Sequence, residues 1–475
     1  MTVGKLRRAL QDLPKDLEDT YERILRAIDK GPNAEEALKI LRWLAYAERP
    51  LESAELLHVT GIFLDDEPRF KEDEVLNDSS DILRICSSLV SFVVEDDQES
   101  SESDFSDDES IRSEEDKNPT TTYIRLAHFS VKEYLVSTHP FPAKYRLQKE
   151  ESHDILASSC LVYLLRFKGD EWLDDDCELR FALARYAARF WTAHARVSKE
   201  LTQQQQALSM QLLTQTPPAF EAWLRFFDMD EPWEHSPNVR RPIAELPSPL
   251  YTASREGLVR TMTTLPTTYF SDIDRQWMGK HNALQAASAC GHEKVVEILL
   301  AKGADVNAQG GDYTYYSNAL QAASGKGHEK VLEILLAKGA DVNAQGGYFG
   351  NALQAASVYG HEKVVEILLG KGADVNAQTG YYGNALQVAL ANNHESIVRI
   401  LLAWGADMND EAFDEVLWAA SKEGHVKVVE ALLAEREYVD SEARALQLAA
   451  GKGHMKVVEF LFSREDSIGL SSLGL

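Results

Sequence analysis

Six histidines recur in step through the second half of this 475-residue chain, and histidine nitrogens are common zinc ligands. They stand at one position of successive similar segments, as His292, His328, His361, His394, His425 and His454. Two ligands of one zinc ion need nitrogens within roughly 4 Å, because each zinc–nitrogen bond is about 2.1 Å. Packed helices of successive segments lie about 8–10 Å apart, which is too far. We therefore expect these histidines to tie a turn between two helices, and we predict no metal site.

The motifs of the common enzyme classes are missing from the sequence. It has no Gly-x-x-x-x-Gly-Lys-Ser/Thr segment to hold phosphates and no Gly-x-Ser-x-Gly elbow to expose a serine nucleophile. The segment His-Glu-Lys-Val-Val has Val296 where a zinc protease has its second histidine. Four cysteines, without a C-x-x-C pair, are typical of reduced thiols inside cells: Cys86, Cys160, Cys177 and Cys290. We predict no catalytic residue and no cofactor.

Composition narrows the partners and the location. The net charge of −27 opposes nucleic acids and anionic membranes, because both repel an acidic surface. No apolar run approaches the roughly 18 residues that a membrane span needs, and the first residues turn polar too soon for a signal peptide. We expect a cytoplasmic protein, with the nucleus as the alternative.

The segment that carries the histidines is repeated. Its conserved pattern reads Asn-Ala-Leu-Gln-Ala-Ala-Ser, two variable residues, Gly-His-Glu-Lys-Val-Val-Glu-Ile-Leu-Leu, then Lys-Gly-Ala-Asp-Val-Asn-Ala-Gln. The leucine of the first part recurs at Leu284, Leu320, Leu353, Leu386, Leu417 and Leu446. A period near 33 residues with two short helices and a turn is typical of an ankyrin array. The chain resembles the ankyrin family over residues 249–465, with one degenerate and about six clear repeats.

Each repeat carries its own helix signals. Asn282 and Gln285 have the spacing of a capping box, which recurs at Asn318/Gln321, Asn351/Gln354 and Asn384/Gln387. Gly291 is predicted to end the first helix with a positive φ. In the second helix Val295, Ile298 and Leu299 share one face, so that stacking of neighbouring repeats must supply the core.

Aromatic pairs recur with the repeats. They fall on the turns before the first helices, as Tyr315/Tyr316, Tyr348/Phe349 and Tyr381/Tyr382. The ankyrin resemblance implies partner binding through these finger turns and through the inner face of the first helices. We therefore predict a protein-binding surface from the aromatic pairs together with the variable positions Lys326, Tyr359 and Asn392. The alternative is that the rings only stack on one another and stiffen the array.

The first part of the chain has a different pattern. Predicted helices near 34–47, 53–59 and 80–86 precede two predicted strands, 89–94 and 121–128, and Ser130 and Glu133 form an S-x-x-E cap for a last helix. Three helices and a hairpin predict a winged-helix domain at residues 31–139. The segments at 13–25 and 123–135 resemble the end of a fungal NACHT module (residues 1–30 here) and its winged helix. That winged-helix type also carries a GPI inositol-deacylase label.

The resemblance to NOD-like signalling NTPases implies a nucleotide-sensing role for the position of His128. Without a phosphate-binding loop the role would be vestigial, and the alternative is a histidine packed between strand and helix. We expect a truncated form that keeps the winged helix and the sensor arm. The alternative is a fragment of an active NACHT NTPase whose nucleotide-binding part is encoded upstream.

Two further segments complete the chain. Residues 95–119 contain twelve acids and two bases, and we predict a disordered insert whose serines are either simply solvated or phosphorylated: Ser101, Ser103, Ser106, Ser110 and Ser113. Residues 140–248 are predicted to be a helical spacer followed by a linker, because seven prolines break the chain up to the start of the array: Pro217, Pro218, Pro232, Pro237, Pro242, Pro247 and Pro249.

The predicted fold is therefore mainly α: a winged helix and helical spacer followed by an ankyrin solenoid. The predicted function is a non-enzymatic interaction protein whose array recognises a protein ligand, without nucleic-acid or membrane partners. An enzyme is the first alternative, and a DNA-binding winged helix is the second. The acidic wing opposes the DNA-binding hypothesis, because it would repel phosphates.

Overall fold

A computed structural model describes most of the chain. The described residues are 17–95, 121–137, 142–169, 176–197, 201–215, 217–228, 238, 240–278, 281–311, 314–381, 383–407, 410–433 and 441–468. The chain divides into two units, Met1–Leu246 and Pro247–Leu475, and each is described by itself. The predicted acidic insert, the start of the first helix and Tyr382 lie outside the described residues, apart from Glu95, which ends a strand. Within the described residues, no helix combines the length and apolarity needed to cross a bilayer.

The first unit begins with helices around a small sheet. In chain order its elements are α1 (17–29), α2 (Ala34–Tyr46), β1 (Leu51–Glu52), α3 (Ser53–Thr60), β2 (Ile62–Phe63), β3 (Arg69–Phe70), α4 (Ser79–Cys86), β4 (Val90–Glu95), β5 (Thr121–Leu126) and α5 (Phe129–Val136). The three predicted helices and the hairpin are present within one or two residues of the predicted bounds. The strands β1, β5 and β4 form an antiparallel sheet in that order, with Leu51 opposite Ile124 and Val90 opposite Leu126.

Local signals explain where these helices begin. Asp78 caps α4 by accepting the backbone N–H of Ser80 at 2.8 Å. The predicted S-x-x-E cap of α5 is wrong, since α5 begins one residue before Ser130. His128 is the N-cap residue, and its Nδ1 accepts the backbone N–H of Ser130 at 3.3 Å. An imidazole nitrogen thus accepts a free backbone N–H at the start of the helix, where a serine hydroxyl was the expected acceptor.

Five further helices follow in the described part of the first unit. They are α6 (Lys149–Leu164), α7 (Cys177–Arg180), α8 (Ala184–Val197), α9 (Gln203–Thr214) and α10 (Pro217–Phe226). Trp191 of α8 packs edge-on against Trp223 of α10, whose Nε1 donates to Ala188 O at 2.9 Å. The expectation that Pro217 and Pro218 belong to a linker is wrong. They open α10, because the first turn of a helix needs no backbone N–H from its own residues.

The second unit is a row of helix pairs. The pairs are α11/α12 (Pro249–Arg255, Val259–Thr264), α13/α14 (Ala283–Ala289, Glu293–Ala301), α15/α16 (Ala319–Lys326, Glu329–Ala337), α17/α18 (Ala352–Tyr359, Glu362–Gly370), α19/α20 (Ala385–Ala391, Glu395–Ala403), α21/α22 (Asp410–Glu423, Val426–Leu433) and α23/α24 (Glu442–Lys452, Met455–Ile468). In α14 the buried residues are Val295, Val296 and Leu299, while Ile298 is half-buried. The predicted face is therefore shifted by one position.

The predicted asparagine caps are present at all four first helices. Full capping boxes form at Asn282/Gln285 and Asn384/Gln387. In the two middle copies the box is incomplete: Gln321 Oε1 accepts the N–H of Ser317 at 2.8 Å instead of the cap residue's own N–H. The amide end of these glutamines reaches the next copy, as in Gln285 Nε2 to Ser317 O at 2.7 Å. One side chain therefore serves both its own helix and the contact with its neighbour.

A second chain of hydrogen bonds runs along the turns. In each turn an asparagine donates to a glycine carbonyl of the next copy and accepts that copy's aspartate N–H. Asn307 Nδ2 donates to Gly339 O at 3.2 Å, and its Oδ1 accepts from Asp341 N at 2.8 Å. Asn343 repeats the arrangement with Gly372 and Asp374. These bonds fix the spacing of successive turns, on which the exposed side chains are carried.

Candidate partner-binding surface

The first ring of each aromatic pair faces solvent. Tyr315, Tyr348 and Tyr381 are 65%, 38% and 77% exposed. Tyr348 lies edge-on to Tyr315 with ring centres 5.7 Å apart, and it stacks on Tyr381 at 5.4 Å with an interplanar angle of 13°. We call these three residues the tyrosine row. The row is continuous, because each ring contacts the next.

The second ring of each described pair is buried. Tyr316 and Phe349 are 8% and 4% exposed, and their ring centres lie 5.3 Å apart. They join Ala322 and Ala355 of the first helices in one apolar cluster. A Cβ at Gly325 would come within 2.4 Å of the Tyr316 ring, so this glycine makes room for it. Burial raises the pKa of Tyr316, and its hydroxyl is hydrogen-bonded to Tyr359.

Backbone hydrogen bonds hold the turns that carry the row. Tyr348 N donates to Thr314 O at 2.9 Å, and Tyr381 N donates to Tyr348 O at 3.2 Å. The neighbouring turns approach so closely that a Cβ at Gly380 would lie 2.6 Å from the backbone nitrogen of Gly350. A ladder of this kind fixes the backbone positions from which the exposed rings extend before any partner binds.

The three predicted inner positions are all exposed. Lys326, Tyr359 and Asn392 lie at or just after the ends of the first helices α15, α17 and α19. Tyr359 contacts Phe349 with ring centres 5.5 Å apart, which connects it to the buried aromatic pair below the row. Tyr359 therefore contacts the aromatic cluster. Asn392 instead donates from Nδ2 to Val388 O at 2.9 Å.

The recurring histidines link neighbouring copies. His292, His328, His361 and His394 each place Nε2 2.8–3.1 Å from a carbonyl of the preceding copy, on Arg255, Ala289, Gly325 and Val358. Each ring lies against a glycine with a positive φ; a Cβ at Gly291, for example, would be 2.7 Å from His328. The histidine thus links two neighbouring copies, whereas the prediction placed its contacts in the turn of its own copy.

The pattern changes at one interface. Asn393, with φ of 59°, stands where other copies have glycine. His425 of the next copy turns its Nδ1 toward Glu395 Oε1 at 3.2 Å, and its buried Nε2 has no partner among the described residues. A cavity of about 320 Å³ lies here, lined by residues that include Leu390, Val416 and Ala420.

Two groups of titratable residues in the first unit have unusual surroundings. His58 Nδ1 lies 2.6 Å from the Tyr163 hydroxyl, and burial, with a smaller effect of Arg166, lowers the pKa of His58 to about 4. His153 and His194 approach each other at 2.8 Å between their Nδ1 atoms, close to Glu48. Burial, followed by His153, lowers the pKa of His194 to about 3, and burial also lowers the pKa of His153. No motif in the sequence marks these residues.

His128 does not have the surroundings expected for it. Its side chain is exposed, so the prediction that it packs between strand and helix is wrong. Its Nδ1 lies 2.7 Å from Ser130 Oγ, which is also 2.8 Å from the Tyr21 hydroxyl. The imidazole therefore serves the N-terminus of α5.

Comparison with known proteins identifies the array. The family model "Ankyrin repeats (3 copies)" matches residues 250–346, 320–412 and 386–471. The C-terminal part of the chain therefore consists of ankyrin repeats. The azaphilone pigments biosynthesis cluster protein L of Monascus ruber is 33% identical over 309 residues. That match covers 62% of this chain and 61% of the relative, so the chain spans less than two thirds of the relative's length.

A solved structure also matches part of this chain. The human ASB11 ankyrin repeat domain is 25% identical in sequence, and the match covers 46% of this chain and 98% of that chain with a TM-score of 0.38.

Proposed function

We propose that this chain is a non-enzymatic interaction protein whose ankyrin repeats bind a protein partner on the tyrosine row. Ankyrin repeats generally mediate protein–protein binding. The observation that carries the proposal is the difference within the two fully described pairs: Tyr316 and Phe349 are buried, whereas the first ring of each pair stays exposed to solvent. Exposed tyrosines give large contact area at a low cost in side-chain entropy, and they are frequent hot spots of interfaces.

The row defines the chemistry of the partner. Three phenol rings offer apolar faces together with hydroxyl groups that donate and accept hydrogen bonds. Tyr359 extends the apolar area toward the first helices. Lys326 and Asn392 add polar groups at the ends of the neighbouring first helices α15 and α19. A complementary surface presents apolar side chains with backbone or carboxylate acceptors beside them.

The exposed rings stack on one another, but the buried rings make the larger packed contact. Tyr316 and Phe349 supply the packed contacts, so the array keeps its apolar cluster without the exposed row. Stacking of Tyr348 on Tyr381 is worth about 0.5–1.5 kcal/mol by itself. We expect the double variant Tyr348→Ser/Tyr381→Ser to lower the unfolding temperature by only a few degrees.

Partner capture from an extract of the source organism tests the proposal. Proteins that the wild type enriches should be reduced more than about 30-fold by Tyr348→Ser/Tyr381→Ser, because two hot-spot rings are lost. The matched control is Trp404→Ser, which removes an exposed aromatic ring from the same array outside the row. Equal capture by the wild type and the double variant would contradict the proposal.

For the first unit we propose a winged-helix domain related to that of fungal NACHT proteins. The support is the order α2, β1, α3, α4, β4, β5, with the short strands β2 and β3 inserted between α3 and α4. The sheet order is β1-β5-β4, and the hairpin of β4 and β5 would be the wing. This domain would provide a second docking surface in the cytoplasm, whereas the alternative of an NTPase fragment requires nucleotide binding.

A further inference from the structure

Three potential metal ligands meet in the first unit from distant parts of the chain. Glu48 follows the end of α2, His153 lies in α6 and His194 lies in α8. The two Nδ1 atoms are 2.8 Å apart, and His194 Nδ1 is 3.7 Å from Glu48 Oε1. All three ligand atoms lie within 4.8 Å of one another. Both histidines are buried, while the carboxylate is partly exposed.

A second layer of contacts orients this group. The Tyr186 hydroxyl lies 2.9 Å from His194 Nε2, and it accepts the backbone N–H of Glu48 at 2.9 Å. The Tyr46 ring lies edge-on to His153 at 5.2 Å. Metal-binding histidines usually hydrogen-bond through the nitrogen that faces away from the metal, and such a bond fixes the ring direction. His194 has this arrangement toward Tyr186.

We propose that Glu48, His153 and His194 bind a zinc ion through the two Nδ1 atoms and the carboxylate. Two histidines and one glutamate are a known zinc ligand set that leaves one of four tetrahedral positions open. Tetrahedral bonds of about 2.1 Å place neighbouring ligand atoms about 3.4 Å apart. The two Nδ1 atoms therefore move apart by about 0.6 Å on binding, and the carboxylate moves closer to His194.

The protons balance without an added base. In the metal-free pair one Nδ1–H donates to the other Nδ1, so one of the two imidazoles carries its proton at Nδ1. In the zinc-bound form both neutral imidazoles carry the proton at Nε2, and the total number of protons is unchanged. His194 Nε2–H then donates to the Tyr186 oxygen.

Zinc at this position joins three segments. It connects the chain after α2 to the helix pair α6 and α8, beyond the aromatic and hydrogen-bond contacts already present. A ligand that binds the folded state alone stabilises it. Bound zinc would therefore stabilise the folded first unit, and this effect is independent of the proposed partner surface.

Zinc titration of the untagged full chain tests the proposal. The parent protein for this titration is the variant Cys290→Ser, which lacks the exposed thiol. We expect one zinc ion per chain with a dissociation constant at or below about 1 µM, and a higher unfolding temperature with zinc. Cobalt bound in place of zinc should show the visible absorption bands of tetrahedral Co²⁺. It should lack the thiolate charge-transfer band, because all ligand atoms are nitrogen or oxygen.

Variants assign the ligands. Glu48→Gln and His153→Gln should weaken zinc binding at least about 10-fold, and Tyr186→Phe about 10-fold through the lost second-layer bond. His361→Gln, in the array, is the matched control and should bind zinc like the parent. Glu48→Gln keeps the shape of a partly exposed side chain, and circular dichroism checks its fold.

The proposal is overturned by absence of a site tighter than about 100 µM in the parent protein. A thiolate band with cobalt overturns it too, as does zinc binding that survives both Glu48→Gln and His153→Gln. The cobalt spectrum of the parent decides the case even where a variant fails to fold.

Discussion

At the residue scale, Asn393 shows how one side chain alters a contact between copies. It keeps a positive φ of 59° in place of glycine, and the next histidine, His425, lacks the carbonyl bond that four other copies make. Side chains with a Cβ are strained in this conformation, although asparagine tolerates it better than most. The equivalent glycines also leave no room for a Cβ beside the histidine ring.

We expect Asn393→Gly to stabilise this interface by about 0.5–1 kcal/mol, from relief of the positive φ and from a restored histidine bond. Hydrogen exchange of the amides in α20 and α22 measures the change. The reverse substitution at an intact interface, Gly360→Asn, should raise the exchange rate of α18 and α20, since its Cβ would lie 2.8 Å from His394. An unchanged or faster exchange rate in Asn393→Gly would contradict this explanation.

His58 gives a prediction about pH. Its pKa is lowered to about 4 in the folded protein by burial, while the unfolded chain has the ordinary value near 6.5. Between these values the unfolded state binds more protons, so stability is present above pH 6.5 and falls as the pH drops toward 4. From pH 7.5 to pH 5 the loss from His58 should be about 1–2 kcal/mol.

The variant His58→Gln isolates this effect. Glutamine keeps a polar partner for Tyr163 but does not titrate. Denaturant unfolding of the first unit, followed at both pH values, should show a smaller pH dependence in the variant than in the wild type. The same dependence in both proteins would mean that other groups carry it.

At the element scale, the first helices of the array depend on caps that change toward the C-terminus. Four copies have asparagine caps, whereas Ser441 before α23 makes no side-chain cap. Other contacts compensate in part: Trp418 Nε1 donates to Ser441 O at 3.1 Å, and the Arg444 guanidinium lies 3.9 Å from the centre of the Trp418 ring. The glutamine link between copies is thus replaced by an indole.

We expect hydrogen exchange to be fastest from about Asp410 to the C-terminus, because a lost cap costs about 1 kcal/mol and a repeat array opens from its weaker end. The interface at Asn393 separates this segment from the regular copies. The variant Trp418→Phe should speed exchange of α23 further, since it removes the donor to Ser441. Uniform protection over all copies would disprove the expectation.

Local elements could be predicted from sequence, and distant contacts could not. The caps at Asn282 and Asn384 depend on residues three positions away, so spacing was sufficient. The two-residue strand β1 has no periodicity to detect. The burial of Tyr316 depends on Gly325 and on Phe349 of the next copy. The adjacent residues Tyr315 and Tyr316 do not show in the sequence which of the two rings is buried. His153 and His194 are 41 residues apart, and their meeting with Glu48 follows only from the packing of α6 and α8.

At the scale of the whole molecule, the two units carry different chemistry. The array has a regular backbone with an exposed aromatic row, and the first unit has buried polar groups in a helical core. The net charge of −27 is a property of both together, and it disfavours polyphosphate ligands as well as nucleic acids. Recognition of an apolar protein surface with hydrogen-bond acceptors beside it is compatible with that charge, because uncharged tyrosines provide most of the proposed contact.

The last prediction concerns nucleotides, since the proposed relation of the first unit to fungal NACHT proteins makes them the natural alternative ligand. We expect the full chain to bind neither ATP nor ADP, because its sequence has no phosphate-binding loop and His128 already caps α5 through Ser130. Isothermal titration measures this directly. His128→Ala should lower the stability of α5 by about 1 kcal/mol, and His128→Asn should largely restore it, because asparagine is a good N-cap residue. Sub-micromolar nucleotide affinity that is lost in both variants would instead show that the imidazole senses a phosphate, and the NTPase-fragment hypothesis would then replace the cap as the explanation of His128.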